Sequence, residues 1–163
     1  MKTLIITPAY NEEKFLQLTI DSVLNQNLLP VEWVIVDDHS KDRTSNIAKE
    51  AAKKHKWISY LKKEKKDNTG PGKAVMEAFY FGYDNKKVNN FDLIMKLDAD
   101  IILPKNYISE ISKRMKNNSK IGMSVSNLKK IQSCHYLASA RFAKISCPSA
   151  RFFSYARHWS AEG

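Results

Sequence analysis

Short apolar runs alternate with amphipathic stretches along the first 123 residues. Leu4-Ile5-Ile6-Thr7 is apolar and stops at Pro8, the pattern of a buried strand. Trp33-Val34-Ile35-Val36 and Leu93-Ile94-Met95-Lys96-Leu97 are nearly continuous in hydrophobicity, as a sheet covered on both faces requires. Trp57-Ile58-Ser59-Tyr60-Leu61 alternates and reads as a third strand, between the other two in sequence. Helical signals lie between the strands. Leu16, Ile20, Val23 and Leu24 share a face at spacings of three and four, behind Glu12 and Glu13, which would sit against the positive end of the helix dipole. Ile47, Ala48 and Ala51 form the inward stripe of a second helix, capped by Ser40 or Asp42. A third helix is expected from about Lys73 to Tyr83. Pro104 opens a fourth, which carries Tyr107, Ile108, Ile111 and Met115.

Strand and helix in this rhythm predict an α/β fold: a mostly parallel sheet with helices on both faces. Ligands of such sheets bind beyond the carboxyl ends of the strands. Three polar clusters stand at those ends, at residues 8–13, 37–42 and 98–100. Their coincidence outweighs any one of them. Beyond residue 123 the periodicity fades. Residues 124–163 contain eight serines, six Lys or Arg and a single acid, Glu162. The reading is therefore an α/β domain over residues 1–123 and a poorly defined tail over 124–163, disordered or cut short. Met123-Ser124-Val125 is the one short strand expected near it.

Composition narrows the partners. The formal charge is +10, which suits nucleic acid, an anionic membrane face or phosphorylated ligands. Many lysines fall in solvated runs, at 53, 54 and 56 and at 62, 63, 65 and 66. No aromatics interleave them as in single-strand binders, so nucleic acid is not expected. Cys134 and Cys147 have no neighbouring ligand cluster, which suits reduced thiols. No apolar run approaches the roughly 18 residues of a membrane span, and the apolar stretch after Met1 is too short for a signal peptide. A cytoplasmic protein is expected, with peripheral attachment to the inner membrane face left open.

Chemistry is concentrated in the clusters. Asp98 and Asp100, one residue apart at a strand end, can converge on Mg²⁺ or Mn²⁺, with phosphate oxygens completing the shell. A bare Asp-x-Asp is usually an exposed turn; its place after a core strand favours the metal. At Asp37-Asp38 a carboxylate can accept from a base edge or a ribose hydroxyl, while Ser40 or Asp42 caps the next helix. Pro8 fixes the backbone, Ala9 permits close approach, and Tyr10 either stacks on a base or roofs the core. Asn68-Thr69-Gly70-Pro71-Gly72-Lys73 joins glycines, a helix start and a lysine without P-loop spacing, and no Gly-x-Gly-x-x-Gly occurs. Lys73 serves a diphosphate or simply ends a loop. His39 has no partner at nucleophile or zinc spacing and reads as a loop residue.

In order and spacing these motifs resemble the family 2 glycosyltransferases of GT-A fold, over roughly residues 1–123. The first strand with Pro8-Ala9-Tyr10-Asn11-Glu12-Glu13 looks like that family's first signature. The segment Val34 through Thr44, containing Asp37-Asp38-His39-Ser40, looks like its second, where a glycine often stands at the place of His39. Residues 68–73 are similar to the third, and Asp98-Ala99-Asp100 to the metal motif (DXD). The resemblance implies that Pro8, Ala9, Tyr10, Glu12 and Asp38 line a nucleotide pocket. Asp98 would contact ribose or metal, and Asp100 would hold the metal. Many relatives carry an arginine a little beyond the third motif; here Lys73 is the nearby cation.

The implied reaction is metal-dependent transfer of a sugar from a UDP-, GDP- or dTDP-sugar to an unknown acceptor hydroxyl, with inversion. That transfer needs a downstream carboxylate base. After Asp100 the sequence holds no further Asp, so the catalytic base is unassigned and the fold is expected to be truncated on its C-terminal side, a donor-binding half. The alternatives are a nucleotide-binding module completed by a partner chain and a sugar nucleotidyltransferase, whose Gly-rich basic loop after the first strand is missing from residues 8–13.

Overall fold

The computed structural model describes residues 1–64, 71–117, 123–124 and 151–154. In chain order the elements are β1 (Thr3–Ala9), α1 (Leu16–Leu24), β2 (Glu32–Asp37), α2 (Thr44–Lys54), β3 (Ile58–Lys62), α3 (Pro71–Asp84), β4 (Leu93–Lys96), α4 (Tyr107–Asn117), β5 (Met123–Ser124) and β6 (Arg151–Ser154). The six strands form one sheet in the order β3-β2-β1-β4-β6-β5, and every neighbouring pair is parallel. The α/β fold with a parallel sheet is as the apolar runs predict. The order turns around β1: β2 and β3 lie on one side of it and β4 on the other. A crevice opens at such a reversal, at the carboxyl ends of β1 and β4.

β1 feeds two cores, because successive side chains point to opposite faces. Ile5 and Ala9 join Trp33, Ile35, Leu93 and Met95 beneath α1, α2 and α4. Leu4 and Ile6 join Val34, Val36, Ile94 and Phe79 beneath α3. Trp33 is fully buried, and its indole N–H donates to Thr7 Oγ1 at 2.9 Å, so the one polar atom of that ring is satisfied within the core. At the amino end of β2 the buried Glu32 accepts from Ser59 Oγ (2.8 Å), Lys87 N (2.9 Å) and Val88 N (2.8 Å). A carboxylate supplied with this many donors tolerates burial and latches the α3–β4 connection to the sheet.

Three elements depart from the sequence reading. Glu12 and Glu13 do not open α1, which starts at Leu16 with no acid in its first turn. Residues 12–15 make a separate turn, with Phe15 N and Leu16 N both donating to Glu12 O (3.0 and 2.9 Å). Tertiary bonds to the 40–44 loop hold the glutamates there. At α2, Asp42 does accept from Thr44 N at 2.9 Å, whereas Ser40 is taken up by Asn11 N at 3.0 Å. In the region read as a tail, the short strand is present at Met123–Ser124. Arg151–Ser154, where the pattern shows no element, forms β6 and pairs with β4. Residues 125–150 and 155–163 lie outside the described residues.

Gly82 of α3 lies against the sheet. A Cβ there would meet Val36 Cγ2 at 2.7 Å and Ile6 Cγ2 at 2.8 Å, both in the core. Gly82→Ala gains up to about 1 kcal/mol in helix propensity and incurs an overpacking cost of about 1–3 kcal/mol. We expect net destabilisation, read as a lower urea midpoint at unchanged m-value; a midpoint above wild type would show that α3 can lift off the sheet freely.

Candidate nucleotide site at the carboxyl ends of the strands

The loops that follow β1 and β2 are stitched together. Asp38 N donates to Ala9 O (2.9 Å) and Asn11 N to Ser40 Oγ (3.0 Å). Lys41 N donates to Asn11 Oδ1 (2.8 Å), Glu12 N to Thr44 Oγ1 (2.8 Å) and Glu13 N to Asp42 Oδ2 (3.1 Å). Asn11 and His39 take left-handed backbone, with φ of 54° and 66°. Asparagine is among the side chains that enter this region readily; for histidine the region is less common and glycine is its usual occupant. Pro8 and Ala9 end β1 as expected. Tyr10 is 46% exposed, so it does not roof the core.

The adjacent acids of β2 divide their labour. Asp37 is buried and turned inward, accepting from Ser40 N (2.9 Å), Ser45 Oγ and Tyr60 OH (3.3 Å). Burial pushes its pKa up, but the bonds from Ser40, Ser45 and Tyr60 outweigh that and hold it below the ordinary carboxylate value. Burial, with the Asp37 charge beside it, pushes the Tyr60 phenol up. Asp38 turns the other way. Its Oδ1 lies 3.2 Å from His39 Nδ1 and 3.8 Å from Lys63 Nζ. Lys63 is itself nearly buried and reaches Glu77 of α3 at 3.7 Å, and Glu77 pairs on its other oxygen with Lys73 at 3.7 Å. A chain of charge thus runs from the β2 end to α3.

The third cluster is carried by α1. Thr19 Oγ1 donates to Ala99 O at 2.7 Å, Leu103 N to Ser22 Oγ at 3.1 Å, Gln26 Nε2 to Pro104 O at 2.7 Å and Ile108 N to Gln26 Oε1 at 3.0 Å. Ala99, Ile101 and Leu103 are buried along the way. Asp98 and Asp100 therefore sit on a loop pinned at both sides. Lys96, nearly buried at the end of β4, places its ammonium on Asp98 Oδ1; Asp98 keeps 27% exposure and Asp100 only 9%. No group of three or more His, Cys, Asp or Glu that could hold a metal occurs among the described residues. The donor set of Asp98 and Asp100 is that of a hard cation held by one or two carboxylates and completed by phosphate oxygens.

Of the residues expected in the site, Pro8, Ala9, Tyr10, Glu12 and Asp38 share two interlocked loops, and Asp98 and Asp100 lie at the neighbouring strand β4. Among the described residues Lys73 joins them through Glu77, and its side chain is 70% exposed. Residues 65–70 of the third motif lie outside the described residues. Lys63, Lys96 and His39 escape the sequence reading. A signal existed for two of them: Lys96 is the one charge in an apolar strand, and Lys63 follows β3 as the other clusters follow their strands.

With this geometry in view, the model for glycosyl transferase family 2 matches residues 4–156. The chain belongs to that family. The probable glycosyltransferase YdaM of Bacillus subtilis is 27% identical over 160 residues, covering 97% of this chain and 36% of that protein. The 4,4'-diaponeurosporenoate glycosyltransferase of Staphylococcus haemolyticus is 36% identical over 99 residues, 61% of this chain and 24% of that protein. Among solved structures, S. aureus TarS 1–349 in complex with UDP-GlcNAc superposes with a TM-score of 0.59 at 23% identity, covering 82% of this chain and 37% of that one. The mannosyltransferase PcManGT of Pyrobaculum calidifontis, in complex with GDP-Man and Mn²⁺, gives 0.57 at 21% identity, over 77% of this chain and 35% of that one. These likenesses show the GT-A fold of the glycosyltransferases. The family 2 chain spans only between 24% and 38% of the length of the curated relatives cited first by similarity.

Asp37 sets a pH dependence of stability. Its folded pKa is depressed, so its contribution is complete above the ordinary value near about 4 and is lost as pH falls through the lower folded value. Asp37→Asn should lower stability by about 1–3 kcal/mol near neutral pH. It should also flatten the acid limb of a urea-midpoint profile below about pH 4. An acid limb as steep as in wild type would assign it to other carboxylates.

Proposed function

We propose that this chain forms the donor-binding part of an inverting, divalent-metal-dependent glycosyltransferase that moves a sugar from a nucleoside-diphosphate sugar to an acceptor hydroxyl. The observation that carries this reading is the placement of Asp38 after β2 and of Asp98 and Asp100 after β4, at the carboxyl ends of the two parallel strands that flank β1, where strand order turns. The nucleotide-sugars held by TarS and PcManGT, which share the fold, support the donor class, and the Mn²⁺ of PcManGT supports a divalent metal.

Each residue then has a task. Asp38 accepts from a base N–H or a ribose hydroxyl, and Tyr10 offers its exposed ring to the base. Pro8 and Ala9 keep the β1 end narrow enough for a nucleotide to approach the backbone. Asp98, whose charge Lys96 already meets, suits a ribose hydroxyl better than a second charge on the cation, so Asp100 becomes the principal metal carboxylate. A Mn²⁺ or Mg²⁺ ion bound there neutralises the diphosphate as it leaves. Lys73 reaches the diphosphate side of the pocket from the start of α3. The proton of the acceptor hydroxyl is assigned to no residue of this chain.

Thermal unfolding with UDP-, GDP- and dTDP-sugars in Mn²⁺ tests the reading. A donor at about 100 times its Kd contributes about 2.7 kcal/mol, a rise of roughly 5–10 °C for a chain of this size. Asp100→Ala should abolish the rise and leave the unliganded Tm near wild type. No shift with any nucleotide-sugar would sink the proposal.

We place the protein in the cytoplasm at the inner membrane face. The support is a charge of +10, which an anionic lipid surface attracts. Co-sedimentation with vesicles containing anionic lipid should occur and weaken as salt rises; equal recovery with neutral vesicles would refute it.

A further inference from the structure

We propose that His39 is a positioning residue for nucleotide recognition, fixing one oxygen of Asp38 so that the other faces the donor. The proposal rests on the donor-binding reading above and adds to it a residue that the sequence pattern leaves as plain loop.

Two features count against a histidine at this place. Its φ of 66° lies in the left-handed region, where a side chain with a Cβ is strained and glycine is not. Its Nε2 is buried and has no hydrogen-bond partner among the described residues, an uncompensated desolvation. Glycine would carry neither burden. What the ring supplies in exchange is one contact, Nδ1 to Asp38 Oδ1 at 3.2 Å. A carboxylate only accepts, so Nδ1 carries the hydrogen.

That contact is directional where its neighbour is not. Lys63 Nζ lies 3.8 Å from the same Oδ1, beyond hydrogen-bond range, and is shared with Glu77. Lysine therefore supplies charge and histidine supplies geometry. The terminal torsion of an aspartate is broad and roughly two-fold, so a carboxylate without such a bond samples many orientations. With Oδ1 engaged by both groups, the plane is set. Oδ2 has no hydrogen-bond partner among the described residues. It stays available to an N–H of a base or to a ribose hydroxyl, and the ordering is complete before the ligand arrives. Local strain retained beside a binding group is the pattern expected when the strained residue serves the ligand rather than the fold.

The test compares wild type, His39→Gly and His39→Asn by unliganded Tm and by calorimetric Kd in Mn²⁺, using whichever of UDP, GDP and dTDP binds wild type most tightly. His39→Gly should keep or raise the Tm, yet weaken binding about tenfold, the value of one hydrogen bond to a charged group. Asparagine enters the left-handed region readily and can donate its amide to Asp38; His39→Asn should recover binding to within about threefold of wild type, since the bond is restored. In an Asp38→Ala background, which has no acceptor for the Nδ1 hydrogen, His39→Gly should have no further effect. Undiminished binding by His39→Gly, or an undiminished loss in the Asp38→Ala background, overturns the proposal while leaving the donor reading intact. Failure of wild type to bind any of the three nucleotides removes the donor reading and this inference together.

Discussion

β1 is shared by everything else in this molecule. It pairs with β2 through Leu4↔Glu32 to Ala9↔Asp37 and with β4 through Thr3↔Leu93 to Ile6↔Lys96. Its alternate side chains serve the two cores on opposite faces of the sheet. A one-residue slip of β1 would exchange Leu4 and Ile6 for Ile5 and Thr7 on each face. It would also displace Pro8 and Ala9 from the level of Asp37. The register that packs the cores is therefore the register that aligns the site, and the two cannot be tuned separately. The buried bond from Trp33 to Thr7 reinforces it, because a slipped strand would strand both polar atoms in an apolar interior.

Around this strand the carboxylates sort by how fully the protein satisfies them. Glu32 and Asp37 are buried and saturated by donors from their own loops and helices, which is how a fold uses an acid as a fastener. Among the described residues Asp38 and Asp98 are each met on one oxygen, Asp38 by Lys63 and the His39 ring and Asp98 by Lys96. A carboxylate compensated on one side still has acceptor capacity to offer. The half-satisfied acids lie at the carboxyl ends of the strands. Glu32 lies at the opposite end and Asp37 points into the protein.

Much of this was legible in the residues. Continuous apolar runs such as Leu4-Ile5-Ile6 and Trp33-Val34-Ile35-Val36 have few alternatives to buried parallel strands, and polar residues directly after them mark the ligand edge. The start of α1 was not legible, because dipole logic places Glu12 and Glu13 in a first turn while bonds to Thr44, Asp42 and Arg43, some thirty residues away, hold them before it. The roles of Asp37 and Asp38 were indistinguishable in sequence, since adjacent residues on a strand end part only by the direction of their side chains. His39 was read as loop because its partner is its own neighbour and its backbone angle leaves no trace in composition. β6 escaped notice because four residues, Arg151–Ser154, carry too short a pattern to separate from their surroundings.

The interlocking of the first two loops bears on how a donor would be met. Seven hydrogen bonds cross between residues 9–13 and 38–44, from backbone or side chain on both sides. Neither loop can move without breaking bonds of the other, so ordering is completed on folding and is not charged against ligand binding. Left-handed backbone at Asn11 and His39 is what lets the two turns interdigitate so closely. The Asp98–Asp100 loop is tied just as firmly, but to α1 rather than to its neighbours. Two rigid bodies thus meet across the crevice between β1 and β4. Lys73 differs from both: it stands exposed on α3, and among the described residues it connects to Asp38 through Glu77 and Lys63.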